Sequence, residues 1–146
     1  MKASQNTKIV LDLLEAGWNR GDMSAIDRAV AEGHIEHEPD GHDEVGRGHF
    51  SETVHTYRAA FPDMRICVDD QVADGDRVVI RWTASDTHRG DLNGIPATGR
   101  TAKVSGVYIH KLADGRITES WTMFDQLGLL VQLGVLVLPT PGPSRR

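Results

Sequence analysis

Apolar residues recur at three- and four-residue intervals in the first third of the chain and at every second position beyond Met64. Ile9, Val10, Leu13, Leu14 and Trp18 share one helical stripe. That spacing predicts a helix capped by Ser4 or Asn6 and running to about Arg20, where Gly21 stops it. Ser24, with Asp27 three residues later as a capping-box variant, opens a second short helix with Ile26 and Val30 on its apolar side, ended by Gly33. Phe50, Val54, Tyr57 and Phe61 mark a third helix that Pro62 terminates. From Met64 the period of two predicts strands over residues 64–73, 77–88, 101–112 and 116–124. Residues 126–133 have room for one or two helical turns. The run PTPGPSRR at 139–146 is expected to be a disordered tail. No repeat interrupts this order, so residues 1–138 form a single domain. Helices followed by strands predict an α+β fold, three N-terminal helices packed on a curved four-stranded antiparallel meander. Such a sheet can curl around a pocket.

The segment over residues 104–125, VSGVYIHKLADGRITESWTMFD, holds the strongest hairpin signal, Asp114-Gly115. Its register decides which groups share a face. A two-residue loop sets His110 opposite Glu119 and Tyr108 opposite Trp121. A three-residue loop sets His110 opposite Thr118 and Tyr108 opposite Ser120. A one-residue slip carries every side chain to the other face, and the sequence leaves both registers open.

Composition narrows the function classes. The chain has 146 residues, is 39% hydrophobic and 25% charged, and carries a formal charge of −5. No Lys/Arg block is present, which argues against nucleic acid or an anionic membrane as partner. The apolar run over 127–138 is broken by Gly128, Gln132 and Gly134 and is too short to span a bilayer. Met1 to Gln5 is polar and unlike a secretory leader, so a cytoplasmic protein is expected. Cys67 is the single cysteine. Its setting between Ile66 and Val68 predicts a small core residue and not a nucleophile.

Several groups could carry chemistry. Asp125 ends a mostly apolar strand, where a carboxyl in a dry pocket gains a pKa suited to proton transfer. It also precedes Gln126-Leu127-Gly128, the setting of an ordinary helix N-cap. His110 is either a proton-transfer group or a solvent-facing neighbour of Lys111. Arg81, among Val78 to Trp82, needs a carboxylate partner if buried, with Asp125 or Glu119 as candidates. Trp18, Trp82, Trp121, Tyr57, Tyr108 and Phe61 are core, or the wall of an aromatic-sized slot. His88 either gates the slot from the start of the loop over 89–99 or is a turn residue. Residues 34–49 hold four of the seven histidines among Pro39 and several glycines. Their spacing is irregular and puts no HExxH-like pair on a helix, so a polar loop is expected there and no metal site.

Three pieces, in order and at their spacings, resemble one family. They are THRGDLNGIPATGR at 87–100, Asp114-Gly115-Arg116-Ile117 with Glu119, Trp121 and Asp125, and Leu129-Leu130 with Gln132-Leu133-Gly134. Together they are similar to the SnoaL-like polyketide cyclases of the NTF2-like superfamily, from the first helix to about Gly134. The resemblance implies a cone-shaped barrel, a homo-oligomer (a dimer), no metal or organic cofactor, and a hydrophobic aromatic small molecule as substrate. Its best-known members close a ring by intramolecular aldol condensation with an aspartate as acid/base. A sister group hydroxylates anthracycline aglycones. Counted from the Asp-Gly turn, the acid/base aspartate falls at Thr122 and its assisting histidine at Tyr108. Asp125 matches a second acidic position, His110 lies on the same strand face as the histidine position, and His37 corresponds to a polar position at the pocket mouth. The expected catalytic set is Asp125, His110 and His37. Tyr108, Trp121, Trp82, Trp18, His88, Arg81 and Thr122 are expected to bind substrate. The expected function is cyclase-like acid/base ring closure. Hydroxylation, or non-catalytic binding or dimerisation, is the alternative left by threonine at 122.

Overall fold

The computed structural model describes residues 2–139. Beyond Pro139, the expected tail lies outside the described residues. Helix α1 (Lys2–Leu13) runs on into a π-helical segment (Leu14–Asn19), followed by α2 (Met23–Ala29). Strands β1 (Val30–His37) and β2 (Asp43–Val45) precede α3 (Arg47–Ala60). Then come β3 (Arg65–Asp74), β4 (Arg77–Thr87), β5 (Thr101–Ala113), β6 (Arg116–Phe124) and the short α4 (Gln126–Gln132). The strands form one six-stranded sheet in the order β2-β1-β6-β5-β4-β3. Every neighbouring pair is antiparallel except β1 and β6, which are parallel.

The expected four-stranded antiparallel barrel is therefore corrected. Among the described residues the fold has four α-helices and a mixed six-stranded sheet that does not close. Strand β1 replaces the expected helix end at Gly33 and the expected loop. Its inward positions include His34 and Glu36, which are buried but polar. The apolar alternation that marks a half-buried strand is therefore missing, and β1 is recruited by the free edge of β6, which needs backbone partners. Two caps also differ. Asp22, not Ser24, caps α2 by accepting from the Ser24 amide at 3.0 Å. Helix α1 already contains Asn6, which is buried within it.

The hairpin joining β5 to β6 satisfies neither expected register throughout. Asp114 (φ 51°) and Gly115 (φ 76°) both adopt the left-handed conformation of a type I′ turn, and Ala113 faces Arg116. A bulge then adds one residue to β6 at Thr118, whose hydroxyl donates to the Lys111 carbonyl at 3.1 Å. Beyond it His110 faces Ser120, Tyr108 faces Thr122 and Gly106 faces Phe124. That shift keeps Tyr108, His110, Ser120 and Thr122 on the inner face. It sends Glu119 and Trp121 outward.

Helix α1, its π-helical extension and α3 cover the inner face of the sheet. The core joins Val10, Leu13 and Leu14 of the first helix to Val54 of α3 and to Val78, Ile80, Leu112 and Ile117 of the strands. Cys67 is exposed rather than core. It alternates with the inward Ile66 on β3, an edge strand whose outward positions are exposed.

Candidate functional site

Between the helices and the inner face lies a cavity of about 300 Å³. Its walls come from the π segment, β1, α3, β3 to β6 and α4, so its shape depends on nearly every element. The π segment matters most locally. Arg58 of α3 donates to the carbonyls of Trp18 and Asn19 at 2.6 and 2.9 Å. The Asn19 amide exchanges two hydrogen bonds with the Ile66 backbone at 2.7 and 3.0 Å. The first tie gives a donor to two carbonyls at the end of the π segment, the second fastens the Asn19 side chain to β3, and together they hold Trp18 against the cavity.

An aromatic ladder forms one side. Tyr108 stacks on Trp82 with ring centres 5.1 Å apart and planes 23° from parallel. Trp18 lies over the same tyrosine at 6.4 Å and 19°, and His110 continues the row at 5.6 Å and 27°. Near-parallel rings present a flat wall that suits a flat ligand. Gly106 makes the stack possible, because a Cβ there would sit 2.3 Å from Cζ2 of Trp82.

The polar groups in this apolar cavity are few. Glu36 of β1 is 9% exposed, and its Oε1 accepts a hydrogen bond from Thr122 Oγ1 at 2.7 Å. Burial raises the Glu36 pKa, and the Thr122 hydrogen bond offsets part of that rise. His110 is buried with Nδ1 2.7 Å from Ser120 Oγ. Burial, helped by nearby His34, pushes its pKa down to about 3, so it is neutral. Tyr108 is held above its ordinary pKa by burial and then by Glu36, and stays protonated. Farther along, Asp86 lines the cavity with an enclosed Oδ1 that has no hydrogen-bond partner among the described residues. Burial, then Asp63, pushes its pKa up to about 6. Glu38 and His49 also line the cavity, 3.3 Å apart.

The expected site residues divide sharply. His110, Tyr108, Trp82, Trp18 and Thr122 all line the cavity. Asp125 does not. It is exposed at the N-cap of α4, where its Oδ1 accepts from the Gly128 amide at 2.9 Å. His37 is on the outer face, stacked on Trp121 at 4.7 Å. Its ring nitrogens are 2.9 Å from Glu119 and 2.8 Å from Asp43, and the Glu119 contact foremost raises its pKa. Trp121 also carries the Arg77 guanidinium 5.3 Å above its ring. Arg81 points outward with a side chain 57% exposed, and its partners are Asp69 and Asp70, not Asp125 or Glu119. His88 is fully buried beside Phe61, and its Nδ1 accepts from the Thr98 amide at 3.2 Å, pinning the loop over 89–99. It does not reach the cavity.

Sequence reasoning missed Glu36, Asp86 and His34. Asp86 had a signal, because it continues the inward series Val78, Ile80, Trp82, Ala84. Glu36 and His34 had only their two-residue spacing within a polar run. Among the described residues, no group of three His, Cys, Asp or Glu side chains is arranged to hold a metal ion. None of the described helices is long and apolar enough to cross a membrane.

Solved structures with this architecture carry related descriptions. IdmH from Streptomyces antibioticus, provisionally described as a polyketide cyclase, is 32% identical over 90% of this chain and 99% of its own, with a TM-score of 0.79. AclR from Streptomyces galilaeus, provisionally described as a hydroxylase, is 27% identical over 92% of this chain and 99% of its own, with a TM-score of 0.83. A SnoaL-like protein from Jannaschia sp. CCS1 reaches a TM-score of 0.85 at 22% identity, over 93% of this chain and 96% of its own, and supports the fold alone. No curated protein sequence matches. The model of the SnoaL-like polyketide cyclase family matches residues 8–133, and this chain belongs to that family.

Proposed function

We propose that the protein closes a ring in an aromatic polyketide, or a similarly flat polycyclic molecule, by acid/base chemistry in the inner cavity. The observation that carries the reading is the Glu36 carboxyl against Thr122, 2.7 Å from its hydroxyl. Threonine stands where the family resemblance calls for the acid/base aspartate, and β1 delivers a carboxyl beside it. The proton-transfer role first considered for Asp125 thus passes to Glu36. His37, on the outer face, has no part in the step.

Glu36 carboxylate takes a proton from a carbon lying between two carbonyls. The electron pair moves onto a carbonyl oxygen, which His110 faces as a neutral hydrogen-bond donor. The enolate carbon then bonds to a second carbonyl carbon of the same molecule. The alkoxide so formed recovers the proton from Glu36, and no atom is gained or lost. A carboxyl raised by burial is better matched to a carbon acid than an exposed one. The aromatic ladder would hold the rings in the folded, pre-reactive shape.

The test is Glu36→Gln, assayed on an anthraquinone that bears a β-keto ester side chain, with product of unchanged mass followed by chromatography. The expected loss in kcat is on the order of 10²- to 10⁴-fold, with circular dichroism unchanged. Wild-type turnover by this variant would remove Glu36 as the base. The likeness to AclR favours a second reading, hydroxylation, which oxygen uptake during turnover would reveal. Binding of the quinone without any turnover would favour a non-catalytic role. We also propose a homodimer built on the open outer face of the sheet, where Val72 and Met123 are 62% and 61% exposed.

A further inference from the structure

Behind the cavity wall, three side chains form a buried chain. His110 Nδ1 lies 2.7 Å from Ser120 Oγ, and His34 Nε2 lies 2.8 Å from the same oxygen. His34 and Ser120 are fully enclosed and His110 is 5% exposed. Of the three, His110 alone lines the cavity.

A serine hydroxyl has one proton, so it donates to one imidazole and accepts from the other. If Ser120 donates to His34, then His34 carries its own proton on Nδ1. His110 then donates from Nδ1 and turns a bare Nε2 toward the cavity. If Ser120 donates to His110, the pattern reverses. His34 donates from Nε2, and His110 carries its proton on Nε2. The two arrangements differ at His34 Nδ1, which is buried and has no hydrogen-bond partner among the described residues. The imidazole as a whole packs edge-to-face with the Phe50 ring, centres 5.5 Å apart. In the first arrangement this atom is an orphaned N–H. In the second it is a bare ring nitrogen. Among buried backbone groups an orphaned N–H is rarer than an under-satisfied acceptor, and the same ordering disfavours the first arrangement. Charging either ring is also opposed, because burial pushes His34 down to about 4 and His110 to about 3.

We infer that Ser120 and His34 are positioning residues that lock His110 in its Nε2–H tautomer, so that it meets substrate as a donor and never as a base. This rests on the reading that the cavity is the reaction site. Two consequences follow. Among the described residues the chain ends blind at His34 Nδ1, so it delivers no proton from outside and can only orient. The site also selects at this end a substrate group that accepts a hydrogen bond, a carbonyl or enolate oxygen, over an ammonium or other pure donor.

The experiment is side-chain 15N–1H correlation spectroscopy of the whole labelled protein at neutral pH. The expected result is the Nε2–H pattern for both His110 and His34. An Nδ1–H or doubly protonated His110 would overturn the proposal. In Ser120→Ala the His110 signals should become an average of two tautomers, and kcat should fall on the order of 10- to 100-fold with KM little changed. A single unchanged tautomer in that variant would also overturn it. Should Ser120→Ala not fold, His34→Gln keeps an N–H donor and should preserve the tautomer, whereas His34→Leu should release it. If the tautomer is as stated but Glu36→Gln turns over normally, the reaction-site reading fails and the lock stands.

Discussion

Asp86 sits well above the ordinary carboxylate range, at about 6, chiefly because it is buried and secondly because Asp63 is near. Its folded pKa is raised, so the folded state keeps a proton that the unfolded chain releases between about 4 and about 6. Above that window the fold bears the full cost of an ionised buried carboxyl. Below it the cost vanishes. Asp86→Asn removes the charge at every pH. The variant should therefore be more stable than the parent at pH 8, by on the order of 1 kcal/mol once partial exposure is allowed for. The advantage should shrink as pH falls through the window. Urea unfolding of both proteins at pH 8 and pH 4.5 measures it, and an equal difference at both would mean that Asp86 ionises normally in the fold. The same comparison leaves His34 and His110 in place in both proteins, so their opposite dependence cancels from the difference. Their lowered pKa values stabilise the fold above about 6.5 and withdraw that support as pH falls toward 4 and 3.

The elements separate what the chain declares locally from what it settles only by packing. Strands β3 to β6 were legible because apolar residues recur there at every second position, as Val78, Ile80, Trp82 and Ala84 do in β4 and Ala102 and Val104 in β5. The type I′ turn was legible because Asp114-Gly115 needs no tertiary help. The bulge at Thr118 was not, since a threonine within a β-prone run gives no local sign of a doubled residue. Missing it left open whether Glu119 and Trp121 face inward. Strand β1 was illegible for a different reason: its pairing with β6 is parallel and spans some eighty residues, while its inner face is polar. Glu36 was hidden with it, and so was the carboxyl that now stands beside Thr122. Asp125, by contrast, offered both a cap and a catalytic role, and the folded chain uses it as a cap. The aromatic ladder rests on one element-level detail, the bare strand position at Gly106. A methyl there would lie 2.3 Å from Trp82 and 2.7 Å from the Met123 carbonyl oxygen. Gly106→Ala should cost roughly 1–3 kcal/mol and shift the tryptophan emission, because Trp82 must leave its place on Tyr108. A urea midpoint equal to the parent's would show that the ring has room.

At the scale of the whole molecule, one face of the sheet is covered by the described residues and the other is not. The helices occupy the inner face and leave a row of outward side chains in register across four strands. Val72 faces Val79, Val79 faces Ile109, and Ile109 faces Trp121. Val107 and Met123 form the next pair along the strands. Around this patch stand paired charges, Arg81 with Asp69 and Asp70, and Lys111 with Glu119. An apolar centre ringed by satisfied charges is the usual make-up of a self-complementary interface. The charges also limit how far a second copy can slide, because displaced ion pairs would be buried without partners. A chain of net charge −5 has no general electrostatic reason to associate, so a dimer would depend on the apolar row. Light scattering at micromolar concentration should give twice the chain mass for the parent. Met123→Lys and Ile109→Lys should each return the single-chain mass, since either puts an ammonium at the centre of the patch. Neither side chain lines the cavity, so ligand binding should persist in the separated chains. A parent that is monomeric at this concentration, or a lysine variant that stays dimeric, would rule this face out.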